Sequence, residues 1–104
     1  CPRWDMTVKT INQFDNPDFY FHRKEGVFVL GVKYPGNAQN AGLASQDILL
    51  NIDGRHVRTL EDVKAIHAEA LGRIATDTRV VLTVLRNGLM RQVVLDFARD
   101  YEKQ

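Results

Sequence analysis

Apolar and polar positions alternate from Met6 to Ile11, with Met6, Val8 and Thr10 on one side and Thr7, Lys9 and Ile11 on the other. A period of two predicts a short strand with one mostly apolar face. Asn12 to Asp18 is dense in turn formers, and Pro17 disfavours helix at the residue before it. The aromatic run Phe19-Tyr20-Phe21-His22 follows, broken by Arg23-Lys24-Glu25-Gly26. Gly26 to Tyr34 is a nearly continuous apolar run of β-branched and aromatic residues, whose length and composition favour a buried strand over a helix. Pro35-Gly36-Asn37 ends it. Asn37 is then expected to cap a short helix, Ala38 to Ala41, stopped by Gly42. Asp47 to Ile52 reads as a third strand, closed by the tight turn Asp53-Gly54. Thr59 as N-cap, Asp62 at N3 and Leu60, Val63, Ile66 and Ala70 at helical spacing predict a long helix from Leu60 to Leu71, with Gly72 as its stop. Arg79 to Leu85 and Leu89 to Phe97 flank Arg86-Asn87-Gly88, a hairpin with an Asn-Gly turn.

The order is strand, long loop, strand, short helix, strand, helix, hairpin. It predicts a mainly β fold with two helices, a small antiparallel barrel or sandwich capped by helices. With 104 residues the chain has room for one core, since folding at this size buries a little over ~60% of the unfolded surface. One domain is expected over 1–104, with a folded core at 5–98 and a polar tail at 99–104.

Composition then removes function classes. The only cysteine is Cys1, which excludes an internal disulfide framework and multi-cysteine zinc sites. His22 and His56 are too isolated to argue for a metal, and no cofactor motif is present. Fourteen basic residues against 13 acidic ones, scattered along the chain, give no electrostatic case for nucleic acid or an anionic membrane. No apolar run approaches the ~20 residues of a membrane-spanning helix. Ser45 is the single serine, in Ala-Ser-Gln-Asp, with no glycine-flanked nucleophile turn around it. A self-contained enzyme is therefore disfavoured. The start at Cys-Pro-Arg-Trp reads as a fragment or processed product; Cys1 is either the edge of that fragment or, in a second reading, a lipid anchor.

Four blocks carry a resemblance. Gly26-Val-Phe-Val-Leu-Gly-Val leads into Tyr34-Pro35-Gly36-Asn37-Ala38 and Ala41-Gly42-Leu43. Asp47-Ile48-Leu49-Leu50-Asn51-Ile52-Asp53-Gly54, Val57-Arg58-Thr59-Leu60-Glu61-Asp62-Val63 and Val81-Leu82-Thr83-Val84-Leu85-Arg86-Asn87-Gly88 follow. Together, from about Gly26 to Phe97, they resemble a PDZ domain of the circularly permuted bacterial kind, most like those of HtrA/Deg-type trypsin-like serine proteases. Similar domains occur in membrane metalloproteases, tail-processing proteases and secretion-system proteins.

The resemblance implies a groove between one strand and the long helix, where a partner's C-terminus or an extended segment adds as a further strand. It implies that the carboxylate loop and receiving strand are Arg3, Trp4, Asp5, Met6, Thr7 and Val8, and that Leu60, Val63, Lys64 and His67 border the groove. Lys64 and His67 have a second reading as plain solvated helix residues. Asp5 stands where the family usually has Gly. A carboxylate there would repel an incoming carboxylate and a Cβ restricts the loop, with Arg3 placed to offset this by pairing. Leu60 implies preference for an apolar ligand residue opposite it. Trp4, Phe14, Phe19, Tyr20 and Phe21 read as a satellite cluster or as a patch docking on a neighbouring catalytic domain. The implied function is a non-catalytic, peptide-binding regulatory module of a larger serine protease in a bacterial periplasm or cell envelope. The alternative is a scaffolding domain of an envelope or secretion complex. Expected partners are peptide segments of substrate proteins and the parent's catalytic domain.

Overall fold

The computed structural model describes residues 1–11 and 26–101. The turn-rich Asn12 to Asp18, the aromatics Phe14, Phe19, Tyr20 and Phe21, and His22 lie outside the described residues. The elements are β1 (Met6–Thr10), β2 (Val27–Val32), α1 (Asn37–Ala41), β3 (Ile48–Ile52), β4 (Arg55–His56), α2 (Leu60–Gly72), β5 (Arg79–Arg86) and β6 (Leu89–Asp96). The strands form one antiparallel sheet in the order β1-β2-β3-β5-β6, with β4 paired to β3. The fold is mainly β with two helices, as the residue pattern predicts. Among the described residues the sheet does not close, however, so barrel or sandwich is too strong a word: β1 and β6 are its two edges.

The apolar run in β2 is explained by burial on both sides. Val27 and Val29 point into the main core with Leu49, Ile52, Val63, Ile66, Leu82, Val84, Leu95 and Phe97. Phe28 faces the opposite way and packs with Ile11 and Ile48. Helix α2 covers the main core with Val63, Ile66 and Ala70, one stripe at helical spacing. Its start is a full capping box: Asp62 N–H donates to the Thr59 hydroxyl at 3.2 Å, and the Asp62 carboxylate accepts from the Thr59 N–H at 3.2 Å. The same carboxylate accepts from the Arg58 N–H at 2.9 Å. These backbone donors, Arg58 first, hold the Asp62 carboxyl below its ordinary value.

Both dipeptide turns take the left-handed conformation expected of them. Asp53 and Gly54 have φ of 51° and 80°, and Asn87 and Gly88 have 53° and 78°. A half-buried ion pair fastens the turn end of the hairpin to the start of β3. The Arg86 guanidinium donates to both oxygens of Asp47 at 2.7 and 2.6 Å, and the Asp47 side chain is 1% exposed. Hydrogen bonding to Asp47 raises the Arg86 guanidinium above its already high value.

Candidate functional site

Among the described residues β1 is an edge strand, paired with β2, and its other side faces α2. Between them lies an apolar groove of about 280 Å³ lined by Thr7 and Val8 from β1, Leu60, Val63, Lys64 and His67 from α2, and Cys1 and Pro2 from the segment before β1. The four helix positions follow from spacing: 60, 63, 64 and 67 recur on one face. Val63 is fully buried and forms the floor, Leu60 and His67 are half-buried walls, and Lys64 is an exposed rim charge. An open strand edge opposite an apolar helix stripe can accept one more strand. Main-chain hydrogen bonds would hold it, and side-chain pockets would select its sequence.

The residues before β1 divide between groove and scaffold. Trp4 is fully buried in the main core, its ring 6.2 Å from that of Phe97 and edge-on to His67 at 4.8 Å. It therefore belongs neither to a satellite cluster nor to an exposed patch, and its large ring explains why: a core of this size is filled by few aromatics. Arg3 does not pair with Asp5. Its guanidinium donates to the Phe97 and Ala98 carbonyls at 3.2 and 2.6 Å and meets Asp100 at 3.2 Å. Arg99 and Tyr101 are tied back as well. The Arg99 carbonyl accepts from Asn37 Nδ2, and the Tyr101 hydroxyl from Asn40.

Asp5 sits at φ 61°, the left-handed region in which Asp is among the better-tolerated non-glycine residues. Its carboxylate does not point along the groove. It accepts from the Asn37 N–H at 2.9 Å and is 5% exposed. That contact corrects the expected cap of α1. The N-cap is Gly36, which has no side chain to offer, and Asn37 is already the first helical residue. Asp5, 32 positions earlier, caps the helix from outside. Asn37 returns the contact by donating from Nδ2 to the Arg3 carbonyl at 2.6 Å, and Ala38 N–H donates to the Trp4 carbonyl at 2.9 Å. Gly36 is small for the same reason: a Cβ there would lie 2.7 Å from the Asp5 Cβ and 2.5 Å from the Lys33 carbonyl oxygen. Loop and helix thus form one braced unit at the end of the groove.

Of the expected site residues, Thr7, Val8, Leu60, Val63, Lys64 and His67 meet around the groove. Met6 is buried beneath the loop and, with Asp5, lines a neighbouring depression of about 440 Å³. The side chains of Arg3 and Trp4 face away into scaffold contacts. Cys1 and Pro2 were not expected in the groove; their one signal is their place immediately before the loop.

Comparison with known proteins fits this geometry. The model of the PDZ domain family matches residues 6–96. The magnetosome formation protease MamE of Paramagnetospirillum magneticum is 43% identical over 70 residues, 67% of this chain and 9% of that protein. The serine protease Do-like HtrA of Lactobacillus helveticus is 38% identical over 65 residues, 62% of this chain and 15% of that protein. The chain therefore spans a small fraction of these relatives. Among solved structures, the HtrA3 PDZ domain bound to a phage-derived ligand, FGRWV, superposes with a TM-score of 0.66 at 19% identity, covering 88% of this chain and 80% of that one. The HtrA-type protease AlgW with a decapeptide also superposes at 0.66, with 22% identity over 89% of this chain and 27% of that one.

Proposed function

The chain belongs to the PDZ domain family, and from that premise we propose that it binds extended peptide segments, C-termini included, by strand addition to β1. The observation that carries this is the side of β1 at Thr7 and Val8, against which no other described strand pairs, facing Leu60, Val63, Lys64 and His67 across an apolar groove. Main-chain groups of β1 supply affinity, Leu60 and Val63 select apolar side chains, and Lys64 favours an acidic or polar neighbour at the rim. The peptide-bound relatives support the reading. The module serves a larger HtrA-type serine protease of a bacterial cell envelope, presenting substrate or assembly partners to a catalytic domain outside these residues. The protease relatives support that placement.

The test is a binding screen with a randomised pentapeptide pool carrying a free carboxylate, on wild type and on Leu60→Glu. Glu suits the first turn of a helix, so the variant keeps its fold. Affinity falls at least tenfold in the variant, and the selected peptides carry apolar residues opposite Leu60. Unchanged affinity, or enrichment of Ser and Thr opposite Leu60, contradicts the assignment.

A further inference from the structure

This inference rests on the peptide-binding reading and concerns how the loop before β1 is aimed at a ligand. Asn37 is a buried polar residue, 4% exposed, and both hydrogens of its carboxamide are in use. Nδ2 donates to the Arg3 carbonyl at 2.6 Å and to the Arg99 carbonyl at 2.8 Å. Carbonyls only accept, so the nitrogen of the amide must be the atom that faces them. The next two loop carbonyls are held as well. Trp4 accepts from the Ala38 N–H at 2.9 Å, and Asp5 from the Lys33 N–H at 2.8 Å. Three consecutive carbonyls of the loop are therefore engaged by α1 and by the residue after β2. In a trans peptide the N–H points opposite to the C=O of the same plane. The N–H groups of Trp4, Asp5 and Met6 are accordingly turned away from α1 and β2, and successive N–H groups in such a turn suit an anion.

We propose that Asn37 is a positioning residue: its carboxamide fixes the peptide plane between Arg3 and Trp4, and so sets the direction in which the loop presents its N–H groups to a ligand's terminal carboxylate. The Trp4 and Asp5 carbonyls are held by main-chain donors, which any residue except proline supplies. Only the Arg3 carbonyl depends on a side chain, and that side chain also ties the loop to Arg99 beyond β6. Arg3 is held at φ 67°, a conformation unfavourable for a residue with a Cβ, so the plane relaxes once the tie is gone. Thr7, Val8 and the groove face of α2 make no use of the tie. Its loss therefore falls on the carboxylate and spares strand addition.

The experiment measures affinity for the randomised pentapeptide pool in two forms, free carboxylate and amidated, on wild type, Asn37→Ala, Asn37→Ser and Asp47→Ala. Wild type prefers the free acid by about tenfold. Asn37→Ala reduces that preference to about twofold or less, while affinity for the amidated pool stays within about twofold of wild type. Asn37→Ser, whose single shorter donor cannot hold both carbonyls, falls between, and it carries the test if the Ala variant does not fold. Asp47→Ala is destabilised away from the loop and keeps the wild-type preference, which separates aiming from stability. An undiminished preference in the Asn37 variants overturns the proposal. So does an equal loss of affinity for both pools, or a matching loss of preference in Asp47→Ala. Equal binding of the two pools by wild type overturns it together with the carboxylate loop, and leaves strand addition intact. No binding of either pool by wild type overturns the peptide-binding reading itself.

Discussion

Replacing Asp5 tests how the loop before β1 is built. The Asp5 carboxylate accepts a buried hydrogen bond from the Asn37 N–H at 2.9 Å, at a helix whose own N-cap is a glycine. A hydrogen bond to a charged group contributes about 1.5–3 kcal/mol, and its loss leaves the Asn37 N–H buried without a partner. Asp5→Ala loses that bond and keeps the left-handed backbone, so it costs about 2–3 kcal/mol. Asp5→Gly loses the same bond but relieves backbone strain of about 1 kcal/mol, against about 0.5–1 kcal/mol of added unfolded-state entropy. Its net cost is about 1.5–3 kcal/mol, at or slightly below that of Ala. Asp5→Asn keeps an acceptor and tolerates the backbone, costing about 0.5–1 kcal/mol. At roughly 2.1 cal/mol/K per residue, a chain of this length loses about 4–5 °C of Tm per kcal/mol. The assay is thermal and urea unfolding followed by circular dichroism. The predicted order of stability is wild type, Asn, Gly, Ala, with Ala about 10 °C below wild type. A Gly variant more stable than wild type, or an Ala variant indistinguishable from it, refutes the capping role.

Other perturbations probe the parts around it. Asp47→Ala strands the Arg86 guanidinium from a carboxylate that is 1% exposed; with Arg86 itself 27% exposed, the loss in urea unfolding is about 2–4 kcal/mol. Gly36→Ala drives a methyl to within 2.5 Å of the Lys33 carbonyl oxygen and destabilises by about 1–3 kcal/mol, visible as a lowered urea midpoint. Acid titration follows from Asp62 and Asp96, both held below the ordinary value of 3.8, Asp62 by the Arg58 and Thr59 N–H groups and Asp96 by the Ala98 N–H. A depressed carboxyl stabilises the fold above its unfolded pKa and loses that contribution as pH falls through the folded value. Stability measured by urea unfolding therefore declines from about pH 4 downward, and Asp62→Asn flattens the decline.

The elements were legible where one local signal decided them. Thr59 and Asp62 announce the capping box, Asp53-Gly54 and Asn87-Gly88 announce their turns, and the apolar run through Val27, Phe28 and Val29 announces a buried strand, which the structure covers on both faces. Strand β4, only Arg55 and His56, is too short to carry a period and exists because β3 offers it a partner. The capping of α1 was illegible for another reason. Asn37 has the right chemistry beside the helix, but the cap arrives through tertiary structure from Asp5, which local sequence cannot report. The same holds for Trp4 and Arg3. Their neighbours in sequence suggest a ligand loop, whereas their side chains reach Phe97, Ala98 and Asp100 at the other end of the chain and, from Trp4, His67 on α2. Helix spacing put Leu60, Lys64 and His67 on one stripe, and the family resemblance, not the spacing, pointed that stripe and Val63 at a groove opposite β1.

Among the described residues the sheet has a second edge, β6, which exposes Leu89, Met90 and Val94. That makes one titration decisive. Free-carboxylate peptide from the randomised pool is added to ¹⁵N-labelled protein and amide shifts are mapped residue by residue. The account predicts that the largest changes fall on Thr7, Val8, Leu60, Lys64 and His67, with β6 unmoved. Shifts concentrated on Leu89, Met90 and Val94, with the β1–α2 groove silent, contradict it.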